Sequence, residues 1–298
     1  MAPTDLRAAR AAINGGLPDE FRGWPIRYGW DEVPTEHRIA VMDLGTFLEF
    51  QLGRDPRIGM TALDWLLTPQ QLLLGVVGGA AYYDGLGELE PLRRQLAWYP
   101  DDVWRWLVAC QWQRVANEEA FVGRAAEVGD DLGSRIVAAR LVRELMRLWF
   151  LLAREYWPYT KWFGSAFACL PDVDALTPLL ERVLDAADSP SCESALAAAY
   201  ELVASRHNDS GITEPVNPTV RPFHTRPFLV LMSERFVEAT LATVTDPWLR
   251  ALPLVGSVDQ FVDCTDVLSS SGRANQLRAL YTGEHFSDVH GLPHELSE

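Results

Sequence analysis

Two long segments that follow one another between residues 101 and 156 constrain the fold more than anything else in the chain. "DDVWRWLVACQWQRVANEEAFVGRAAEV" opens with acidic residues, which suit the positive end of a helix dipole, and "DDLGSRIVAARLVRELMRLWFLLAREY" follows after a short break. Each reads as one long helix, and two such helices joined by a short loop pack antiparallel. From Thr61 onward the pattern stays helical almost throughout. "TALDWLLTPQQLLLGVV" reads as one helix, and "TKWFGSAFACL", "ALTPLLERVLDAA" and "CESALAAAYELVASRHN" continue the series after Pro158. Shorter helices in "SERFVEATLATV" and "GSVDQFVDCTDVL" complete the body. At 298 residues and 48% hydrophobic content the chain has enough apolar surface for a sizeable core.

The first 60 residues differ. "MAPTDLRAARAAI" has helical composition, "WPIRYGW" and "HRIAVMDL" read as two short strands, and "GTFLEFQLG" reads as a short helix. This is too little to close a sheet around its own core. The expected fold is therefore mainly α, a helical bundle with a small incomplete α/β remnant at the N-terminus. The expected divisions are residues 1–58, 59–282, and a loose polar tail over 283–298.

Composition narrows the partners. The formal charge of −15 repels a nucleic-acid backbone or an anionic membrane, which leaves small molecules or proteins. Cys110, Cys169, Cys192 and Cys264 lie far apart with no C-x-x-C pair, as expected of reduced thiols. No apolar h-region opens the chain, and "LLLGVVGGAAYY" is well short of the ~20 residues that span a bilayer. A cytoplasmic protein is expected.

Several signatures look catalytic. Gly164-Ser165 followed by Asp172 and Asp174 imitates a nucleotidyltransferase motif, but only "AFACLP" intervenes, and an Asp before "ALTPLLERVL" reads as an ordinary N-cap. His290 and His294, with His285 nearby, are spaced like metal ligands on a helix that Gly291 and Pro293 break. Asp259, Asp263 and Asp266 stand at i, i+4 and i+7, as a solvated or capping face or as a metal-binding one.

What remains is cationic. Of 26 basic residues 25 are Arg, and Lys161 is the single Lys, a compact charge where the chain otherwise uses planar forks. Arg140, Arg143, Arg147 and Arg154 fall within about 60° at 100° per residue, beside an apolar stripe. Two readings of this stripe stand: a face paired internally with Glu118, Glu119, Glu144 and Glu155, or a phosphate cradle. "RPFHTRPF" places Arg221 and Arg226 each before a proline, on an extended arm that holds them away from helices, with the titratable His224 between. Such an arm can clamp an anion, or be pinned to the bundle through Phe223 and Phe228.

"EEAFVGRAAEVGDDLGSRIVAARLVRELMRL", "PYTKWFGSAF", "RPFHTRPFLVL" and "GSVDQFVDCTDVL" together resemble the bacterial family catalogued as domain of unknown function 4037. The likeness runs from about Thr61 to Tyr281 and, more weakly, from Leu17 to Gly53. It implies a helical domain that follows a nucleotidyltransferase-like domain, as in aminoglycoside nucleotidyltransferases. It puts Lys161, Arg221, Arg226 and Asp259 in signature positions and Asp43 in a third-carboxylate position. It also implies that this chain starts after the unit carrying the Gly-Ser and acidic motif, and one carboxylate cannot assemble a two-metal site.

The resulting expectation is a nucleotidyltransferase-like protein, not catalytic alone. Its helical domain binds a nucleotide or small phosphorylated ligand through Lys161, Arg140, Arg143, Arg147, Arg221, His224, Arg226 and Asp259. Mg2+ accompanying a nucleoside triphosphate is the one cofactor this reading admits. The alternatives are a non-catalytic interaction module, or half of a split nucleotidyltransferase completed by a partner chain; a homodimer is also admitted.

Overall fold

The computed structural model describes the backbone of residues 3–283 and the side chains of residues 5–283; His285, His290 and His294 lie outside the described residues. The chain divides between Asp55 and Pro56 into two compact units. The first contains α1 (Pro3–Gly16), two hairpins and α2 (Leu44–Leu52). β1 (Glu20–Phe21) pairs antiparallel with β2 (Trp24–Pro25), and β3 (Tyr28–Trp30) with β4 (Val33–Glu36). Between β1 and β2, Arg22 (φ 55°) and Gly23 (φ 81°) both adopt the left-handed backbone of a tight hairpin turn.

This corrects the expectation of a strand at "HRIAVMDL". β4 takes the pairing with β3, residues 37–43 have no regular secondary structure, and Asp43 instead begins α2. Its carboxylate accepts Thr46 N–H at 2.9 Å and Thr46 Oγ1–H at 2.7 Å, and these bonds hold it below the usual carboxylate range. Asp43 therefore has a local capping role.

The second unit is helical, and, after a short α5 (Leu89–Gln95), its centre is the expected antiparallel pair. Here α6 (Asp101–Glu118) and α7 (Phe121–Glu127) run against α8 (Asp131–Ala153). Hydrogen bonds fix the direction: Trp104 Nε1 donates to Leu151 O, Gln111 Nε2 to Glu144 O, and Ser134 Oγ to Val122 O. Trp106, Trp112, Trp149 and Phe150 are fully buried along this seam. Burial of side chains of this size contributes roughly 1.5–3 kcal/mol each. α10 (Thr177–Leu184) and α11 (Ser189–Asp209) pack on α8, and α12 (Glu234–Leu241) packs on α6, where Phe236 stacks on Trp112 with centroids 4.6 Å apart.

Three segments break where one helix was expected. "TALDWLLTPQQLLLGVV" divides into α3 (Ala62–Leu67) and α4 (Gln70–Val77), because Pro69 lacks an N–H and holds Thr68 extended. The ladder between α6 and α7 is interrupted at Glu119, whose buried carboxylate turns away to accept the Leu231 and Ser233 N–H groups at 2.8 Å each, at the start of α12. "GSVDQFVDCTDVL" divides into α14 (Val258–Phe261) and α15 (Thr265–Leu268), after a short α13 (Pro247–Ala251), with Val262 and Cys264 extended between them. Asp259, Asp263 and Asp266 therefore do not share a helix face.

The proline-rich arm begins at a buried histidine. Trp112 Nε1 can only donate, so at 3.1 Å it makes His207 Nδ1 an acceptor, and Nε2–H then reaches Thr213 Oγ1 at 3.2 Å. Burial lowers the His207 pKa to about 4, which keeps the ring neutral. The arm then folds back, with β5 (Arg221–Pro222) antiparallel to β6 (Leu229–Val230). Phe223 stacks on Phe228 at 5.6 Å, and Phe228 lies against Gly123 so closely that a Cβ there would sit 2.3 Å from the ring. Gly123→Ala is expected to destabilise the protein by about 1–3 kcal/mol through this overpacking, read by urea denaturation. An unchanged midpoint would mean that the ring is free to move.

Candidate functional site

The end of α8 that meets α14 carries the most chemistry. Arg143 and Arg147 are one helical turn apart, and a pocket of about 200 Å³ opens against them. Gln71 of α4, Trp157, α9 (Phe163–Phe167), Asp259 and Asp263 form its other walls.

A buried polar network places these parts. At the start of α14 Gln260 Oε1 accepts Ser257 N–H at 3.0 Å, and Gln260 Nε2 donates to Leu107 O and Gln111 Oε1 at 3.0 Å each. Gln111 in turn donates to Glu144 at 2.7 Å, so the α14 segment is bonded into the α6/α8 seam. Asp259 accepts Gln70 N–H at 3.0 Å, which caps the start of α4, while Gln70 Oε1 accepts Trp157 N–H at 3.0 Å. One glutamine thereby ties the acidic and aromatic walls together.

Charge is concentrated in this network. Glu144 is 2% exposed and accepts Arg114 Nε–H at 2.9 Å and Arg147 at 3.3 Å. Burial alone would raise its pKa, but Arg147, Arg114 and Gln111 together hold it below the usual carboxylate range. Burial pulls the Arg147 guanidinium below its ordinary value; it also reaches Gln260 O and lies 5.6 Å from the centroid of the Trp157 ring. Arg143 forms a two-pronged pair with Asp263, at 2.9 and 3.0 Å. Asp263 also lies 3.5 Å from Arg147, and its side chain is 61% exposed. Asp259 is the opposite case: burial raises its pKa to about 7, against the Gln70 amide and Arg147.

Of the residues singled out from sequence, Arg143, Arg147 and Asp259 converge here, and Asp263 joins them. Lys161 is exposed, one residue from Thr160 in the pocket wall, with its ammonium 5.2 Å from the Trp162 centroid and 5.9 Å from that of Tyr159. It forms no ion pair among the described residues. Arg140 does not line this pocket and pairs with Glu118 at 2.6 Å, and Arg154 pairs with Asp101 at 3.4 Å. For these two, internal pairing is what the stripe does.

The arm does not join this pocket. Arg226 is not held away from helices: it pairs with Glu127 of α7, because the hairpin lays the arm on that helix. His224 occupies the hairpin turn at φ 53° with its ring against Phe223, and Arg221 is exposed on β5. Gly164 and Ser165 lie inside α9, and Asp172 pairs with Arg206 at 3.4 Å. Neither Asp172 nor Asp174 makes the expected capping bond, since α10 starts from Leu176 without a side-chain cap. Trp157 and Gln71 gave no signal in the sequence, because a lone Trp after a helix and a Gln within one are equally common in a core.

The pocket lies largely within a segment of known kinship. Residues 65–163 match the family model described as Domain of unknown function (DUF4037). This segment is similar to that family over about a third of the chain. It contains Gln71, Arg143, Arg147, Trp157, Lys161 and Phe163, while Asp259 and Asp263 come from beyond the matched residues. No curated protein and no solved structure matches the chain.

Proposed function

We propose that the pocket between α8, α9 and α14 binds a small phosphorylated ligand, with Arg143 and Arg147 of the DUF4037-like segment as its anion contacts. The observation that carries the reading is the two-pronged Arg143–Asp263 pair, in which an exposed carboxylate on a short extended link occupies the donors that a phosphate would take. Asp263 is then the internal counter-ion that the ligand displaces. Lys161, next in sequence to Thr160 of the wall, is a nearby cation without an ion-pair partner among the described residues, and Trp157 and Phe163 offer apolar surface.

About 200 Å³ is below the roughly 300 Å³ at which drug-sized sites begin, so the pocket accommodates a phosphate with a small attachment, such as one end of a nucleotide. Among the described residues no group of three His, Cys, Asp or Glu side chains is arranged to hold a metal. The residues do not fit a protein-held Mg2+, and no chemical step is assigned to one. The reading is of binding rather than catalysis.

Thermal shift and calorimetry against inorganic phosphate, AMP and ATP test it. A ligand at ~100 times its dissociation constant adds about 2.7 kcal/mol of stability, readily seen as a rise in Tm. Arg143→Gln is expected to abolish that rise while leaving the unliganded Tm nearly unchanged, because a partly exposed ion pair is worth less than about 1 kcal/mol. Affinity is expected to fall as pH rises through about 7, where Asp259 ionises and repels the anion. Absence of any shift with all three ligands would defeat the proposal.

A further inference from the structure

A second cleft, of about 240 Å³, lies between α7, α11 and the β5–β6 hairpin and shares no lining residue with the phosphate pocket. Its walls are apolar: Val122 and Ala126 from α7, Leu196 from α11, and Phe228 from the hairpin. Its charged groups are all acidic. Glu119, Glu127 and Glu193 line it, and among the described residues no Arg, Lys or His does. Glu127 is neutralised by Arg226, whereas Glu119 and Glu193 form no ion pair among the described residues.

An independent feature points to a ligand. Tyr200 lines the cleft and is 1% exposed, yet its hydroxyl has no hydrogen-bond partner among the described residues. A buried hydroxyl without a partner costs stability and is rare in folded proteins. Gly123 is part of the same construction, since its missing side chain lets Phe228 close one wall.

We propose that this cleft is a binding site for a small organic ammonium ion, whose apolar body lies on Val122, Leu196 and Phe228 and whose N–H groups donate to Glu193 and the Tyr200 hydroxyl. Glu119, already saturated by the Leu231 and Ser233 amides and the Ser233 hydroxyl, contributes its field rather than a direct bond. An anion is disfavoured by the unpaired Glu193 carboxylate and by Glu119 beside it, and a neutral ligand leaves Glu193 without compensation for its burial, which raises its pKa against the Leu229 amide. The net charge of −15 favours the approach of such a cation.

The test is calorimetry on the whole chain with three matched probes: 2-phenylethylammonium, 2-phenylethanol and phenylacetate. The ammonium is expected to bind, the alcohol at least about 10-fold more weakly, and the carboxylate not at all, as a charge-assisted hydrogen bond is worth roughly 10-fold or more. Glu193→Gln and Tyr200→Phe are each expected to raise the ammonium Kd about 10-fold. Tyr200→Phe is expected at the same time to leave Tm unchanged or higher, because it removes an unsatisfied group; a hydroxyl serving only the fold would lower Tm and leave Kd alone. Arg143→Gln, which disables the phosphate pocket, is expected to leave ammonium binding intact. Equal binding of ammonium and alcohol, no ammonium binding at millimolar concentration, or a Kd unmoved by both variants would overturn the site.

Discussion

Glu144→Ala is expected to lower Tm by about 10 °C. Glu144 is a buried carboxylate among three guanidiniums, those of Arg114, Arg143 and Arg147, and it also accepts Gln111. Removing it leaves Arg147, 6% exposed, with Asp263 at 3.5 Å as its remaining carboxylate and a backbone carbonyl at 3.4 Å. Breaking a buried pair from one side costs about 3–5 kcal/mol, because a charge is left uncompensated in a poorly solvated place. For a unit of this size each kcal/mol moves Tm by about 2–4 °C. The same physics predicts a partial rescue: Glu144→Leu combined with Arg147→Met removes the two most buried charges and is expected to recover part of the loss, while Arg114, 20% exposed, turns to solvent. Differential scanning calorimetry of the single and double variants decides the matter. A single variant that loses less than about 1 kcal/mol would show that water reaches the network and that the interior charges are not coupled as described.

The second large effect is a dependence on pH centred on Asp259. Its pKa rises from 3.8 to about 7 because it is buried, so between those values the native protein keeps a proton that the unfolded chain has released. The stability this contributes is complete below about pH 3.8 and is lost as pH rises through about 7. At roughly 1.4 kcal/mol per pH unit the swing amounts to about 4 kcal/mol. Glu119, raised from 4.5 to about 7 by burial, acts in the same direction. His207 acts oppositely: its pKa is lowered from 6.5 to about 4, so its contribution is present above pH 6.5 and lost as pH falls through about 4. Asp259→Asn keeps an oxygen for the Gln70 amide and cannot ionise. Urea denaturation at pH 5 and pH 8 is expected to show the wild type losing stability between the two and the variant losing markedly less. Equal slopes for both proteins would mean that Asp259 is ionised throughout and solvated.

Much of the helical architecture was legible because its causes are local. The α6/α8 pair follows from acidic first turns, apolar faces and a short connection, all within 56 consecutive residues, 101–156. The Arg stripe on α8 follows from helical periodicity alone. Where the reading failed, a single residue redirected the chain. Pro69 cut one helix into two, and the extended link at 262–264 separated three aspartates that a continuous helix would have aligned. In the N-terminal unit only "WPIRYGW" was legible as extended chain, and it divides between β2 and β3 of separate hairpins; β1, β4 and the turn at Arg22-Gly23 that closes the first hairpin gave no signal.

What the sequence determined by itself is the helical class, the seam at the centre of the bundle and the face on which its arginines project, since each depends on residues within a few helical turns. The tertiary structure alone decided which carboxylate answers which cation. Glu118 and Glu144 were foreseen partners and do pair, Glu118 with Arg140 and Glu144 with Arg143 and Arg147, but Glu119 is drawn to the start of α12, and Arg143 is matched more closely by Asp263 and Arg154 by Asp101. Asp259 meets the Gln70 amide across 189 residues of chain. The physical reason is that a carboxylate's charge and reach are the same wherever it stands in a sequence. Its partner and its pKa depend on how deeply the fold buries it and on which donors the fold brings within 3 Å.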